Sequence, residues 1–70
     1  MFIISDPTGK FPFRNRTNDI DTAADIIMGI TGVDEDYEDS AKIMSNMHLG
    51  EKYSCDRYII ECVEEDEVND

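Results

Sequence analysis

Residues 34–39 (DEDYED) place acidic side chains at the alternate positions 34, 36 and 38, a spacing that resembles the opening of a calcium-binding loop. Carboxylate oxygens are the ligands that calcium prefers, so metal chemistry is sought here first. The rest of the loop pattern is missing from the sequence. Its sixth position requires Gly and holds Asp39, and its twelfth requires a bidentate Glu and holds Ser45. We therefore interpret the run as the acidic start of a helix and expect no metal site.

The other residues that could take part in catalysis form no catalytic pattern. His48 is the single histidine, no motif places a nucleophile beside it, and a position in the last turn of a helix accounts for it. Cys55 and Cys62 have neither the CxxC spacing nor the paired histidines of a zinc site. Extended chain would separate these cysteines by roughly 23 Å, too far for a disulfide. We expect no enzyme active site and no cofactor.

One basic patch lies at residues 10–16 (KFPFRNR), where aromatic and cationic side chains alternate as they do on nucleic-acid-binding platforms. The patch lacks the GxxxxGK[ST] spacing of a phosphate loop. Residues 19–70 hold 3 basic and 16 acidic residues, which is 3 − 16 = −13. We expect the patch to pair with the domain's own carboxylates and predict no direct binding of nucleic acid.

Composition restricts the class of protein. The 70 residues include 17 acidic and 6 basic side chains, for a formal charge of −11, and the 40% apolar content suffices for one folded core. Such a field repels nucleic acid and anionic membranes and attracts basic protein surfaces. The start of the sequence has no basic n-region, no apolar run approaches 18 residues, and only two cysteines occur. These features predict a cytoplasmic protein with free thiols and no membrane association.

The elements that must position these groups are predicted in the order β-β-α-α-β. Predicted strands cover Phe2–Ser5, Lys10–Arg14 and Arg57–Val63, and predicted helices cover Asp19–Ile30 and about Asp34–His48. A turn at residues 6–9 (DPTG) joins the first two strands. Thr17 or Asn18 would cap the first helix, which should stop near Gly32.

This order predicts an α+β fold, a three-stranded antiparallel sheet with both helices packed on one face. Residues 1–63 form the single domain, and residues 64–70 (EEDEVND) form an acidic tail that we expect to fray. In the last strand, Tyr58, Ile60 and Cys62 should face the helices. Ile59 and Val63 should point to the other side. A strand that is covered on one face only would normally not carry apolar side chains there.

Two pairs of acids, Asp21/Asp25 and Glu35/Asp39, are four residues apart on exposed helix faces. Like charges at this spacing weaken a helix by a few tenths of a kcal/mol. Solvated faces tolerate that cost. Alternatively, the acids are retained for a partner, because carboxylates about 6 Å apart can imitate the spacing of phosphates in nucleic acid.

Two functional hypotheses follow. In size, charge and lack of catalytic groups the chain resembles small phage-encoded anti-defence and DNA-mimic proteins, so the first is a non-enzymatic acidic inhibitor or adaptor that occupies a basic surface of a nucleic-acid-handling protein. The alternative is a small structural or regulatory subunit that associates through an apolar sheet face, with a second copy or another protein, its acidity serving solubility. The residues expected to contact a partner are Asp21, Asp25, Glu35, Asp36, Asp39, Ile59, Glu61 and Val63.

Overall fold

A computed structural model describes residues 1–10 and 14–64. The elements are β1 (Phe2–Ser5), β2 (Arg14–Thr17), α1 (Ile20–Thr31), α2 (Glu35–Ser45), β3 (Lys52–Ser54) and β4 (Ile59–Cys62). The strands form one antiparallel sheet in the order β2-β1-β4-β3. The predicted α+β class with two helices is confirmed, but the sheet has four strands, not three. The predicted fraying of the tail concerns residues outside the described part, apart from Glu64.

The additional strand is β3, which the sequence reading missed. Its three residues, Lys52–Ser54 (KYS), are all exposed, so it lacks the apolar alternation by which strands are recognised. It lies at a sheet edge and pairs with β4 alone, with Tyr53 opposite Ile60. The hairpin closes through a hydrogen bond from the Cys55 N–H to the Tyr58 carbonyl at 3.0 Å.

The predicted second strand was placed too early. It was expected at Lys10–Arg14, whereas β2 covers Arg14–Thr17, a polar stretch (RNRT) with no residue buried. These residues have a weak intrinsic preference for strands, and their pairing with β1 holds them in one. Strand preference depends strongly on such neighbours. The turn that precedes it is present: Gly9 N–H donates to the Asp6 carbonyl at 3.4 Å, with Gly9 at φ 76°.

The core lies between the helices and one face of the sheet. Cross-strand pairs Phe2/Cys62 and Ile4/Ile60 place four side chains on this inner face. They pack with Tyr58 and with the helix residues Ala23, Ala24, Ile27 and Met44. The predicted alternation along the last strand is therefore confirmed, since Tyr58, Ile60 and Cys62 are buried while Ile59 and Glu61 belong to the outer face.

The start of α1 is capped by Asp19, and the prediction of Thr17 or Asn18 was wrong by one or two residues. The Asp19 carboxylate accepts hydrogen bonds from the backbone N–H and hydroxyl of Thr22, at 3.3 and 2.7 Å. These bonds stabilise the charged form and lower the pKa of Asp19. The helix ends as predicted at Gly32, which adopts φ 71°, a conformation that favours glycine.

Helix α2 ends three residues earlier than predicted. It ends at Ser45 with Asn46 as its C-cap, so His48 lies beyond it and not in its last turn. Asp34 occupies the N-cap position without a side-chain capping bond. The apolar spacing of the second helix predicts a core-facing stripe of Tyr37, Ala41, Met44 and His48. The buried residues of α2 are instead Asp36, Ser40 and Met44. Burial of Asp36 is the largest departure from the sequence reading.

Candidate functional site

The residues predicted to contact a partner divide between two surfaces on opposite sides of the molecule. Asp21 and Asp25 on α1, and Glu35 and Asp39 on α2, are all exposed. We call the exposed acids of the two helices, together with the N-cap Asp19 of α1, the acidic helical surface; they are Asp19, Asp21, Asp25, Glu35, Glu38 and Asp39. Ile59, Glu61 and Val63 lie on the far side of the sheet and are partly buried. No single flat contact can use both sets.

Tyr37 connects the acids of α1 to α2. Its phenol lies within the field of the Asp21 carboxylate, and Asp25 and Asp19 are also close. The negative field of these carboxylates, led by Asp21, raises the pKa of Tyr37 because it disfavours the phenolate. The acids of α1 therefore lie beside α2, with a protonated hydroxyl donor of α2 held among them.

The contact between Tyr37 and Asp21 gives a direct test of this surface. Asp21→Asn should bring the pKa of Tyr37 down toward its ordinary value of 10.0, because the strongest negative neighbour is removed. Glu35→Gln removes the same charge from another part of the surface and should leave that pKa nearly unchanged. Both are measured by NMR titration of the tyrosine rings. An unaltered Tyr37 pKa in the Asp21→Asn variant would contradict the arrangement.

Asp36 is part of the interior, although it was predicted to contact a partner. Only 1% of its side chain is exposed, and its two carboxylate oxygens accept hydrogen bonds from Nε and Nη2 of Arg57, each at 2.8 Å. Hydrogen bonds from Arg57, with a further one from Thr31, lower the pKa of Asp36 despite its burial. The carboxylate is thus unavailable to a partner in this fold, and we exclude it from the candidate surface.

The other side of the sheet is less apolar than expected. The register of the four strands assigns eight side chains to this outer sheet face: Ile3, Ser5, Arg14, Arg16, Lys52, Ser54, Ile59 and Glu61. Ile3 is only 6% exposed. Arg14 reaches across the sheet to Glu61, with 3.4 Å between Nη2 and Oε1. Arginine and lysine side chains frame the apolar centre, since their alkyl portions can cover it while their charges stay in water.

The described residues give no indication of a bound metal or small molecule. Within residues 1–10 and 14–64, no group of three or more His, Cys, Asp or Glu side chains is arranged to hold a metal ion. Two small clefts occur there, of about 160 and 210 Å³. Ligand pockets are typically about 300–1,000 Å³. Cys55 and Cys62 are both free thiols.

Comparison with known proteins identifies no relative of this chain. No family model, no curated protein and no solved structure matches this chain. In the part of the chain that the structure describes, neither helix has the length and apolar character needed to cross a membrane. The functional argument therefore depends on the surfaces themselves.

Sequence reasoning missed two members of the acidic helical surface, the Tyr37 hydroxyl beside the acids of α1, and one structural ion pair. Asp19 was recognised only as a charge favourable to the helix dipole, and Glu38 only as part of the acidic run. Tyr37 was assigned to the apolar stripe of α2; its position between acids on both sides was the available signal. Nothing in the sequence indicates that Arg57, 21 residues away, would pair with Asp36.

Proposed function

We propose that this chain is a non-enzymatic protein-binding module that uses the acidic helical surface to occupy a basic surface of a nucleic-acid-handling protein. The observation that carries the proposal is the exposure of six carboxylates on the two helices, where Tyr37 of α2 lies beside the acids of α1. Six exposed carboxylates there are accompanied on α2 by a single exposed cation, Lys42. A surface of one sign attracts a partner of the other sign and repels nucleic acid itself.

The spacing of the carboxylates supports mimicry of a phosphate backbone. Asp21 and Asp25 are one helical turn apart and both exposed, as are Glu35 and Asp39, so each pair presents charges about 6 Å apart. Such a pair is unfavourable for the isolated helix, and a partner's Arg or Lys side chains would relieve the repulsion. The Tyr37 hydroxyl adds a polar group at the junction of the helices.

The alternative, a subunit that associates through an apolar sheet face, gains less support. Ile59 and Val63 are only partly exposed, and Arg14, Arg16 and Lys52 belong to the same side of the sheet. Interface cores are depleted of charged residues, particularly lysine. A homodimer built on this face would also place its cations against those of the second copy.

Salt dependence tests the proposal. Proteins captured by the immobilised chain from an extract of its native host would be identified, and their affinity measured across ionic strength. We expect binding to weaken steeply between about 0.05 and 0.3 M salt, because screening shortens the range of the attraction from about 14 Å to about 6 Å. An affinity that is unchanged over this range would contradict binding through the acidic surface and favour an apolar contact.

A further inference from the structure

The first turn of α2 begins without a side-chain cap. Asp34 occupies the N-cap position, but its backbone is already helical, at φ −58° and ψ −37°, and its carboxylate makes no capping hydrogen bond. Backbone bonds close the turn instead, from the Asp36 N–H to the Val33 carbonyl and from the Tyr37 N–H to the Asp34 carbonyl, each at 3.1 Å. A side-chain cap normally fixes the point at which a helix starts. The start of α2 therefore needs another contact to fix it.

Arg57 supplies that contact. Its Nε and Nη2 groups donate to the two carboxylate oxygens of Asp36, each at 2.8 Å. Two parallel bonds from a planar guanidinium fix the direction of the carboxylate as well as its distance. Arg57 is itself held in place, because a hydrogen bond from the Cys55 N–H to the Tyr58 carbonyl, at 3.0 Å, closes the loop between β3 and β4, and the Tyr58 side chain is buried in the core. The pair thus ties the first turn of α2 to the sheet.

The α2 half of the acidic helical surface is built on this turn. Glu35 and Glu38 lie within it and Asp39 follows directly, so three of the six carboxylates of the surface depend on its placement. Successive residues of a helix are about 100° apart around its axis, so the buried Asp36 sets the directions of its exposed neighbours. The other three acids belong to α1, whose own start is capped by Asp19. The arrangement of the two halves relative to each other therefore depends on the anchored start of α2.

We propose that the ion pair of Asp36 and Arg57 positions the α2 half of the acidic helical surface for a partner. This inference rests on the proposed function, because it concerns the same surface. Apolar side chains of similar volume often stabilise a fold as well as a buried ion pair does, but their contacts lack direction. The ion pair adds a single orientation of the turn. Asp36 acts through its exposed neighbours and touches no partner itself, since only 1% of its side chain is exposed.

A double variant separates positioning from stability and from charge. Asp36→Leu/Arg57→Met removes one acid and one cation, so the formal charge stays at −11 + 1 − 1 = −11. We expect a folded chain in which the amides of Asp39 and Ser40 exchange with deuterium about tenfold faster, because the turn opens more easily, while the amide of Ile27 in α1 keeps the parent rate. Affinity for a captured partner, measured by isothermal titration calorimetry, should fall about fivefold, because the partner must then order the turn itself. Loss of the half-exposed Arg57 cation would by itself favour a basic partner, so charge cannot account for weaker binding.

A matched control removes the same charges from an exposed pair. Arg14 and Glu61 on the outer sheet face lie 3.4 Å apart, with 54% and 30% of their side chains exposed. Arg14→Gln/Glu61→Gln should leave both amide exchange in α2 and partner affinity at the parent values. A second variant, Arg57→Lys, keeps the positive charge but replaces the planar fork by a single ammonium group. We expect it to speed exchange of the α2 amides about threefold, because one of two parallel hydrogen bonds is lost, and this result tests the proposal even where the double variant does not fold.

Amide exchange is measured on the chain alone and affinity on the complex, so the positioning role and the proposed function can fail separately. Exchange at the parent rate in both the double variant and Arg57→Lys would overturn the positioning role, whatever the affinity. Equal acceleration at Ile27 would also overturn it, because that result assigns the effect to general instability. Faster exchange confined to α2 with unchanged affinity would support the anchoring of the turn and contradict binding through the acidic helical surface.

Discussion

Replacing Arg57 with Met should destabilise the fold by about 3 kcal/mol at neutral pH, at the low end of the cost of breaking a buried ion pair. The partner that remains, Asp36, is 1% exposed and would lose both hydrogen bonds from the guanidinium. We take the low end because the Arg57 side chain is itself 53% exposed, so water screens part of the interaction. Urea unfolding followed by circular dichroism measures the loss.

Replacing Asp36 should cost less stability than replacing Arg57. Asp36→Asn leaves Arg57 able to turn to water and should cost only about 1–2 kcal/mol. The double variant Asp36→Leu/Arg57→Met leaves no buried charge and should recover most of the stability lost in Arg57→Met. A domain of this length has roughly 4–10 kcal/mol in total, so the single Arg57 change should be readily measurable. A cost below about 0.5 kcal/mol, typical of surface substitutions, would contradict the buried pair.

The ion pair of Asp36 and Arg57 also predicts that the free energy of unfolding decreases in acid. The pKa of Asp36 is lower in the folded chain than its ordinary 3.8, so the unfolded state takes up a proton first as pH falls. The stabilisation is therefore complete above about pH 3.8 and is lost as the pH falls through the lowered pKa. The stability difference between the parent chain and Asp36→Asn should be constant near neutral pH and shrink in strong acid.

Neutralising four acids of the helical surface should weaken binding to a basic partner roughly 30-fold. The variant Asp21→Asn/Asp25→Asn/Glu35→Gln/Asp39→Asn removes two like-charged pairs, all four residues being exposed. If each charge contributes about 0.5 kcal/mol, a typical value for exposed pairs, the total is about 2 kcal/mol. The fold should be retained or slightly stabilised, because repulsion within each helix is relieved. Isothermal titration calorimetry with a captured partner measures the effect.

A matched control tests whether binding depends on where the acids lie or only on the total charge of the chain. Glu65→Gln/Asp66→Asn/Glu67→Gln/Asp70→Asn removes the same four charges from the acidic tail. It should bind the partner nearly as well as the parent chain, apart from a small long-range effect of net charge. Equal weakening in both variants would mean that overall charge alone governs binding. Full affinity in the folded helical variant would exclude this surface as the binding site.

Strands with one buried face were the most predictable part of the fold. Phe2–Ser5 was placed correctly, and the alternation of Tyr58, Ile60 and Cys62 gave the correct register of β4, because burial on one side leaves a period of two in the sequence. The two edge strands were misplaced or missed for the opposite reason. β2 and β3 bury no side chain, so only pairing with a neighbour makes them strands.

The candidate site was predictable where it depends on local spacing. Acids four residues apart on a helix must share a face, so the two carboxylate pairs could be assigned from the sequence. The burial of Asp36 could not be predicted, because its partner Arg57 lies in the loop between β3 and β4 and only the fold brings the two residues together. The charge of the outer sheet face was equally hidden, since it depends on the register of β2 and β3.

Competition with DNA tests the central claim most directly. A captured host protein would be bound to fluorescently labelled duplex DNA, and the chain titrated in while anisotropy is followed. We expect the parent chain to displace the DNA completely and the variant with four neutralised helix acids to require a roughly 30-fold higher concentration. A ternary complex, in which the partner holds DNA and the chain together with undiminished affinity for each, would contradict the account.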